Sequence, residues 1–161
     1  MEIHRRHALR KSDLKVLKEE LYKRIGEDVN NLFKKTVELI VTESMELYAE
    51  NKIIFAFKTD DKIIPSLRAL NNEIVHLPTV TVDMGAIRFV TNGADIMAPG
   101  ITKISSELKV GTIVTIIDET YGKSLAVGEL LFDGAEIAEM KKGKAIRNIH
   151  YVNDEIWTLE L

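Results

Sequence analysis

The stretch VDMGAIRFVTNGADIMAPGI, residues 82–101, decides how this chain is read. It sets three glycines (Gly85, Gly93, Gly100) and one proline (Pro99) within 20 residues. Glycine reaches positive φ and lets a second backbone come close, while proline fixes φ and removes a donor. Such a segment predicts the end of a strand, a short helix over 86–92, a tight turn and a new strand. Ile87, Phe89 and Val90 supply the apolar residues of that helix, and Gly93 is placed to end it.

Downstream of this segment the pattern is that of strands. TIVTIID (112–118) is β-branched up to Asp118, and SLAVGELLF (124–132) is largely apolar with Gly128 at an expected bulge or close approach. AEIAEM (135–140) predicts a short helix, and residues 144–151 and 155–159 predict two closing strands around an Asn153–Asp154 turn. Several short strands in about 80 residues predict a small β-barrel. Upstream, Leu14, Leu17, Leu21 and Ile25 recur at helical spacing, with Ser12 as N-cap, Asp13 in the first turn and Gly26 as terminator. His4–Arg10 precedes that helix as a basic, solvent-facing lead-in, and residues 28–33 predict a second short helix. Residues 36–42, 45–49 and 52–58 predict strands, and Pro65 is expected to open a short helix carrying Leu67 and Leu70. The fold class is therefore α+β, in two domains, 1–75 and 76–161, joined at His76–Leu77–Pro78.

With 161 residues, 45% of them hydrophobic and 29% charged, the composition is that of a globular protein with a sizeable core. No apolar run approaches the roughly 20 residues of a membrane span, and the basic N-terminus lacks the apolar core of a secretory signal. Cysteine is absent, which excludes disulfides, thiol catalysis and cysteine-bound zinc or iron–sulfur clusters. A cytoplasmic location is expected. Residues 1–24 hold eight Lys or Arg against four acids, whereas residues 76–161 hold eight against twelve. A net charge of −3 argues against charge-driven coating of nucleic acid, so any nucleic-acid face on the second half must work locally, by shape or at an end. His4 and His7 share one face of a helix but bring no further ligands, so neither metal nor cofactor is expected. No P-loop, GxSxG or HExxH motif is present, and no enzymatic activity is expected.

Four motifs stand in order along the second half: Gly85–Ala86, Gly93–Ala94–Asp95–Ile96–Met97–Ala98–Pro99–Gly100, Gly111–Thr112–Ile113–Val114 and Ala126–Val127–Gly128. Across about residues 78–160 they resemble the PUA domain, a pseudo-β-barrel named for pseudouridine synthases and archaeosine transglycosylases that binds structured RNA. With the basic N-terminal helix and small sheet of a pre-PUA domain, the chain resembles the malignant T-cell-amplified-sequence family, its archaeal relatives and the N-terminal part of translation initiation factor 2D, or ligatin. The absence of cysteine suits an archaeal member. The resemblance implies a non-catalytic factor of translation that contacts small-subunit rRNA or tRNA. It implies as partners the ribosome's small subunit or a density-regulated-type protein, and no membrane. An RNA-presenting subunit of a tRNA-modifying enzyme, or a protein-interaction module without RNA binding, are the alternatives.

Carried over by position, the family's RNA face implies Gly85, Arg88, Gly93, Ala94, Met97, Pro99, Gly100 and Ile101. Lys103 flanks them, and Lys144 and Arg147 add charge from the last strand. Small residues admit an RNA backbone, and free N–H groups near Gly93–Ala94 can meet phosphate or 2′-OH. The same glycines and proline also suit a turn with no ligand. On an unbroken strand Lys144 shares a face with His150, and Arg147 with Tyr151. Lys141 and Lys142 extend this basic group, and Arg5, Arg6, Arg10 and Lys11 form a second one that can be solvated or meet rRNA or an acidic partner.

Overall fold

The computed structural model describes residues 1–161 and divides them into two compact units, Met1–His76 with Glu155–Leu161, and Leu77–Asp154. In the first unit, strand β1 (Ile3–Ala8) leads into helix α1 (Lys11–Ile25) and a 3-10 turn, Gly26–Asn31. Strands β2 (Val37–Thr42), β3 (Glu46–Glu50), β4 (Ile53–Thr59) and β5 (Lys62–Pro65) and helix α2 (Leu67–Asn71) follow. The five strands form one antiparallel sheet in chain order.

The stripe read on α1 is its buried face. Leu17, Leu21 and Ile25 are buried and Leu14 half-buried, and each such burial is worth about 1.5–3 kcal/mol. Gly26 ends the helix at φ 56°, its N–H donating to the Tyr22 carbonyl. The N-cap, however, is Arg10 with no side-chain cap bond, so Ser12 lies inside the helix. Residues 28–33 do not continue as a helix. The tighter turn ends at Asn31, and Phe33 adopts φ 65°. In β2 the fully buried apolar residues are Val37 and Ile40, while Leu39 and Val41 are half-buried, so the expected alternation is offset. Pro65 ends a strand rather than opening a helix. Ser66 caps α2 instead, its Oγ accepting from the Ala69 N–H at 3.3 Å while donating to the Ile54 carbonyl at 2.6 Å.

The second unit is a six-stranded mixed sheet curled into a half-barrel, as the pseudo-barrel expectation required. It runs β6 (Thr79–Val82), a 3-10 turn Met84–Ala86, α3 (Ile87–Val90), β7 (Ile96–Met97), a 3-10 turn Ala98–Gly100 and β8 (Ile101–Lys103). Then come β9 (Ile113–Asp118), β10 (Ser124–Leu130), α4 (Gly134–Glu139) and β11 (Lys144–Tyr151). The strand order is β7-β11-β10-β9-β6-β8, with only the β6–β9 pair parallel. Val80, Val82, Val90, Ile96, Val114, Ile116, Leu130 and Ile146 fill its core. Gly128 is indeed a close approach: a Cβ there would lie 2.6 Å from Ile146 Cγ2. The register of β11 on β10 shifts between Val127 and Gly128, so β11 is bulged near Ile149.

The last helix, α5 (Glu155–Thr158), stands where a closing strand was expected and belongs to the first unit. There the Trp157 carbonyl accepts from Arg68 Nη2 at 2.6 Å, and the Arg68 guanidinium lies 5.1 Å from the Trp157 ring centroid. β-Branched and aromatic residues in so short a run fit a helical turn as well as a strand, and packing selects the turn.

Candidate nucleic-acid interface

α3 is a single turn. Ile87 and Val90, three residues apart, face inward, and this turns Phe89 out to 54% exposure. Before α3, the Asp83 carboxylate accepts from the Ala86 N–H at 2.9 Å and fixes the entry of the 3-10 turn. After it, the Ala94 N–H returns to the Phe89 carbonyl at 3.0 Å, so the chain doubles back toward β7. The Asp83 N–H donates to the Gly100 carbonyl at 2.9 Å and closes the other end. Between these walls lies an open groove of about 700 Å³. Gly85, Phe89, Gly93, Met97, Pro99 and Lys144 are among its lining residues.

The groove is largely apolar at its rim. Phe89 and Met97 are exposed there, with Met84 beside its entrance. Its cation, Lys144, sits 3.3 Å from Asp95 Oδ2, and Asp95 Oδ1 accepts from the Asn148 N–H at 2.9 Å. Asn148 Nδ2 in turn donates to the carbonyls of Val90 and Ala94, at 3.1 and 3.0 Å. Asp95 and Asn148 thereby tie the turn after α3 to β11 and hold Lys144 at the groove's edge.

Residues 78–152 match the family described as PUA domain, and residues 5–73 match one described as Domain of unknown function (DUF1947). Translation machinery-associated protein 20 of Saccharomyces cerevisiae is 35% identical over 172 residues, covering 99% of this chain and 95% of the yeast protein. Malignant T-cell-amplified sequence 2 of Mus musculus is 38% identical over 122 residues, 73% of this chain and 67% of the mouse protein. The chain belongs to this family of PUA-domain proteins. A hypothetical protein from Pyrococcus horikoshii has the same fold, with a TM-score of 0.82 at 32% identity over 95% of this chain and 98% of that one.

In this PUA unit the groove gathers Gly85, Gly93, Ala94, Met97, Pro99, Gly100 and Lys144. Four other residues named from sequence lie elsewhere. Arg88 is exposed beside the groove with its guanidinium 4.7 Å from the Phe89 ring centroid, and so backs the aromatic platform instead of lining it. Ile101 and Lys103 border a separate depression against Ile137 and Met140. Arg147 faces Glu129 across the β10–β11 ladder, Nη2 to Oε1 at 3.1 Å. The face-sharing expected along β11 fails at the bulge: Lys144 is exposed, whereas His150 is 1% exposed and its Nδ1 lies 2.7 Å from Asp154 Oδ2.

Gly93 is required by the fold in its own right. Its φ is 89°, and a Cβ would sit 2.8 Å from the Tyr151 ring. Gly100 is different, since a Cβ there would meet only the Ala86 methyl at 3.4 Å. Sequence reasoning named Phe89 only as one of the three apolar residues of α3 and did not mark it as a surface residue. The one-turn length of α3 and the i, i+3 pair Ile87–Val90 were the available signal. Asp95 and Asn148 carried no such signal, because their partners lie 49–58 residues away.

Proposed function

We propose that this chain is a non-catalytic, translation-associated RNA-binding factor whose PUA groove takes an unpaired segment of small-subunit rRNA or tRNA. The observation that carries this is the exposed Phe89–Met97 rim over an open groove with one cation, Lys144, at its edge. Aromatic and thioether surface offers a stacking platform for a base, and stacking tolerates any sequence because every base has a π-face. Lys144 is partly neutralised by Asp95, and Asp83 also lines the groove, so electrostatics contribute little. A duplex presents phosphates and no accessible base faces, and suits this groove poorly. The translation role rests on the name of the yeast relative, a translation machinery-associated protein, together with the match of residues 78–152 to the PUA domain.

Crosslinking of the intact protein to RNA in cells, followed by sequencing of the attached RNA, tests the proposal directly. Reads concentrated in 16S or 18S-type rRNA or in tRNA, at unpaired positions, are expected. Co-purification with a transglycosylase or pseudouridine-synthase chain and no ribosomal signal would instead make it an accessory of RNA modification. Absence of any enriched RNA, with no shift of tRNA or rRNA at low salt, would overturn RNA binding altogether.

A further inference from the structure

The two sheets have four edges, and three of them are closed to a further strand. In the second unit the edge strands β7 and β8 are only two and three residues long. In the first unit α1 packs on β5, and Arg24 Nε donates to the Ile63 carbonyl at 2.9 Å. Short or covered edges are how folds avoid adventitious strand pairing. The fourth edge, β1, is six residues long, and all six are exposed. None of its residues is buried, and it is held by its ladder to β2 and by the Arg6–Glu38 pair.

The ladder determines which groups of β1 face outward. Leu9 N–H donates to the Val37 carbonyl at 2.9 Å, and the pairing runs without a shift from Ala8↔Glu38 to Arg5↔Val41. Bonded and non-bonded pairs alternate in an antiparallel ladder, so His7 and Arg5 bond inward to β2. Arg6 and Ala8 then present N–H and C=O groups outward. The strand reads IHRRHA, with no acidic residue. Arg6 is held by Glu38 at 2.7 and 2.9 Å, whereas Arg5 makes no ion pair, and Arg10, Lys11 and Lys15 follow on the adjoining helix.

We propose that β1 is a docking edge for an extended acidic segment of a partner protein, which adds as a sixth strand beside Arg6 and Ala8. Charge selects an acidic occupant, and the alternation of outward donors with outward acceptors selects a polypeptide over RNA. RNA phosphates accept from the N–H groups, but ribose 2′-hydroxyls do not repeat in register with the outward carbonyls, while a strand satisfies both in register. The arginines serve a second purpose, since like charges directly opposite each other disfavour pairing of β1 with β1 of another copy.

The test is 15N-labelled full-length protein titrated with acetyl-Val-Glu-Val-Glu-Val-Glu-amide, the same peptide with lysine for glutamate, and oligouridylate. The glutamate peptide is expected to shift the amides of residues 3–8 and to slow hydrogen exchange at Arg6 and Ala8, with the lysine peptide inert. Ala8→Pro removes an outward donor, and proline is tolerated on sheet edges, so it should weaken the peptide about tenfold. Arg5→Glu keeps the backbone and should reverse the preference between the two peptides. No shift at residues 3–8 with the glutamate peptide at millimolar concentration overturns the proposal. Shifts there with oligouridylate alone also overturn it and make the edge an RNA contact.

Discussion

Phe89→Ala isolates the groove's stacking platform from its scaffold. The ring is 54% exposed, and full burial of a phenylalanine is worth about 1.5–3 kcal/mol. Less than half of that is at stake, so folding should lose about 0.7–1.4 kcal/mol. A base stacked on the ring is worth about 1–3 kcal/mol, a loss of roughly 5- to 150-fold in affinity when the ring is removed. Removing the ring also frees the Arg88 guanidinium from its cation–π contact, so the affinity lost reports the platform and its backing together. Fluorescence anisotropy of a labelled single-stranded RNA, at fixed salt, reads the effect. Urea unfolding followed by circular dichroism, run in parallel, confirms that the unit is intact. Phe89→Tyr, which keeps a π-face, should bind like the parent. An affinity for RNA unchanged within twofold in a folded Phe89→Ala protein would refute stacking at this groove.

Gly93→Ala is expected to act on stability instead: positive φ costs about 1–2 kcal/mol and overlap with the Tyr151 ring about 1–3 kcal/mol more, seen as a lower urea midpoint. Gly100→Ala, with only a van der Waals contact to Ala86, should leave that midpoint nearly unmoved. With Lys144 the groove's one lysine or arginine, RNA affinity should fall with salt at a log–log slope near −1, since single strands contribute about −0.7 per phosphate neutralised; a slope steeper than about −3 would show that charge dominates. Asp118, 3% exposed, accepts from the N–H groups of Tyr121, Lys123 and Thr120, and these bonds hold its carboxyl below the ordinary 3.8. Its contribution is therefore present above about pH 4 and is lost as pH falls through the lower folded value, and Asp118→Asn should flatten that part of an acid-unfolding curve. Burial, with Glu46 beside it, raises the Tyr48 phenol from 10.0 to about 12, so stability should fall between those values, and absorbance at 295 nm should show one tyrosine ionising last.

The local order of this molecule is written along the chain. The α1 stripe, Gly26, the β-branched run of β9 and the turn-rich segment 82–101 depend on neighbours within a few residues. Their periodicity and backbone chemistry therefore carry the α+β class and the order of most of the strands. The groove's glycines and proline were legible for the same reason, and so was Lys144. Features that depend on distant partners were not legible. β1 has no alternation to betray it and exists because β2 offers a ladder. The bulge in β11 arises from its register on β10, and it buries His150 while leaving Lys144 in solvent. Arg147 meets Glu129 across the β10–β11 ladder, a pairing set by residues 18 positions apart. The stretch 82–101 needs its glycines for two separate reasons, and only packing tells them apart: Tyr151 leaves no room for a side chain at Gly93, whereas nothing crowds Gly100. Local sequence determines which conformations each segment can adopt. Tertiary structure decides which side chains stay free, because pairing and burial are set by residues far along the chain.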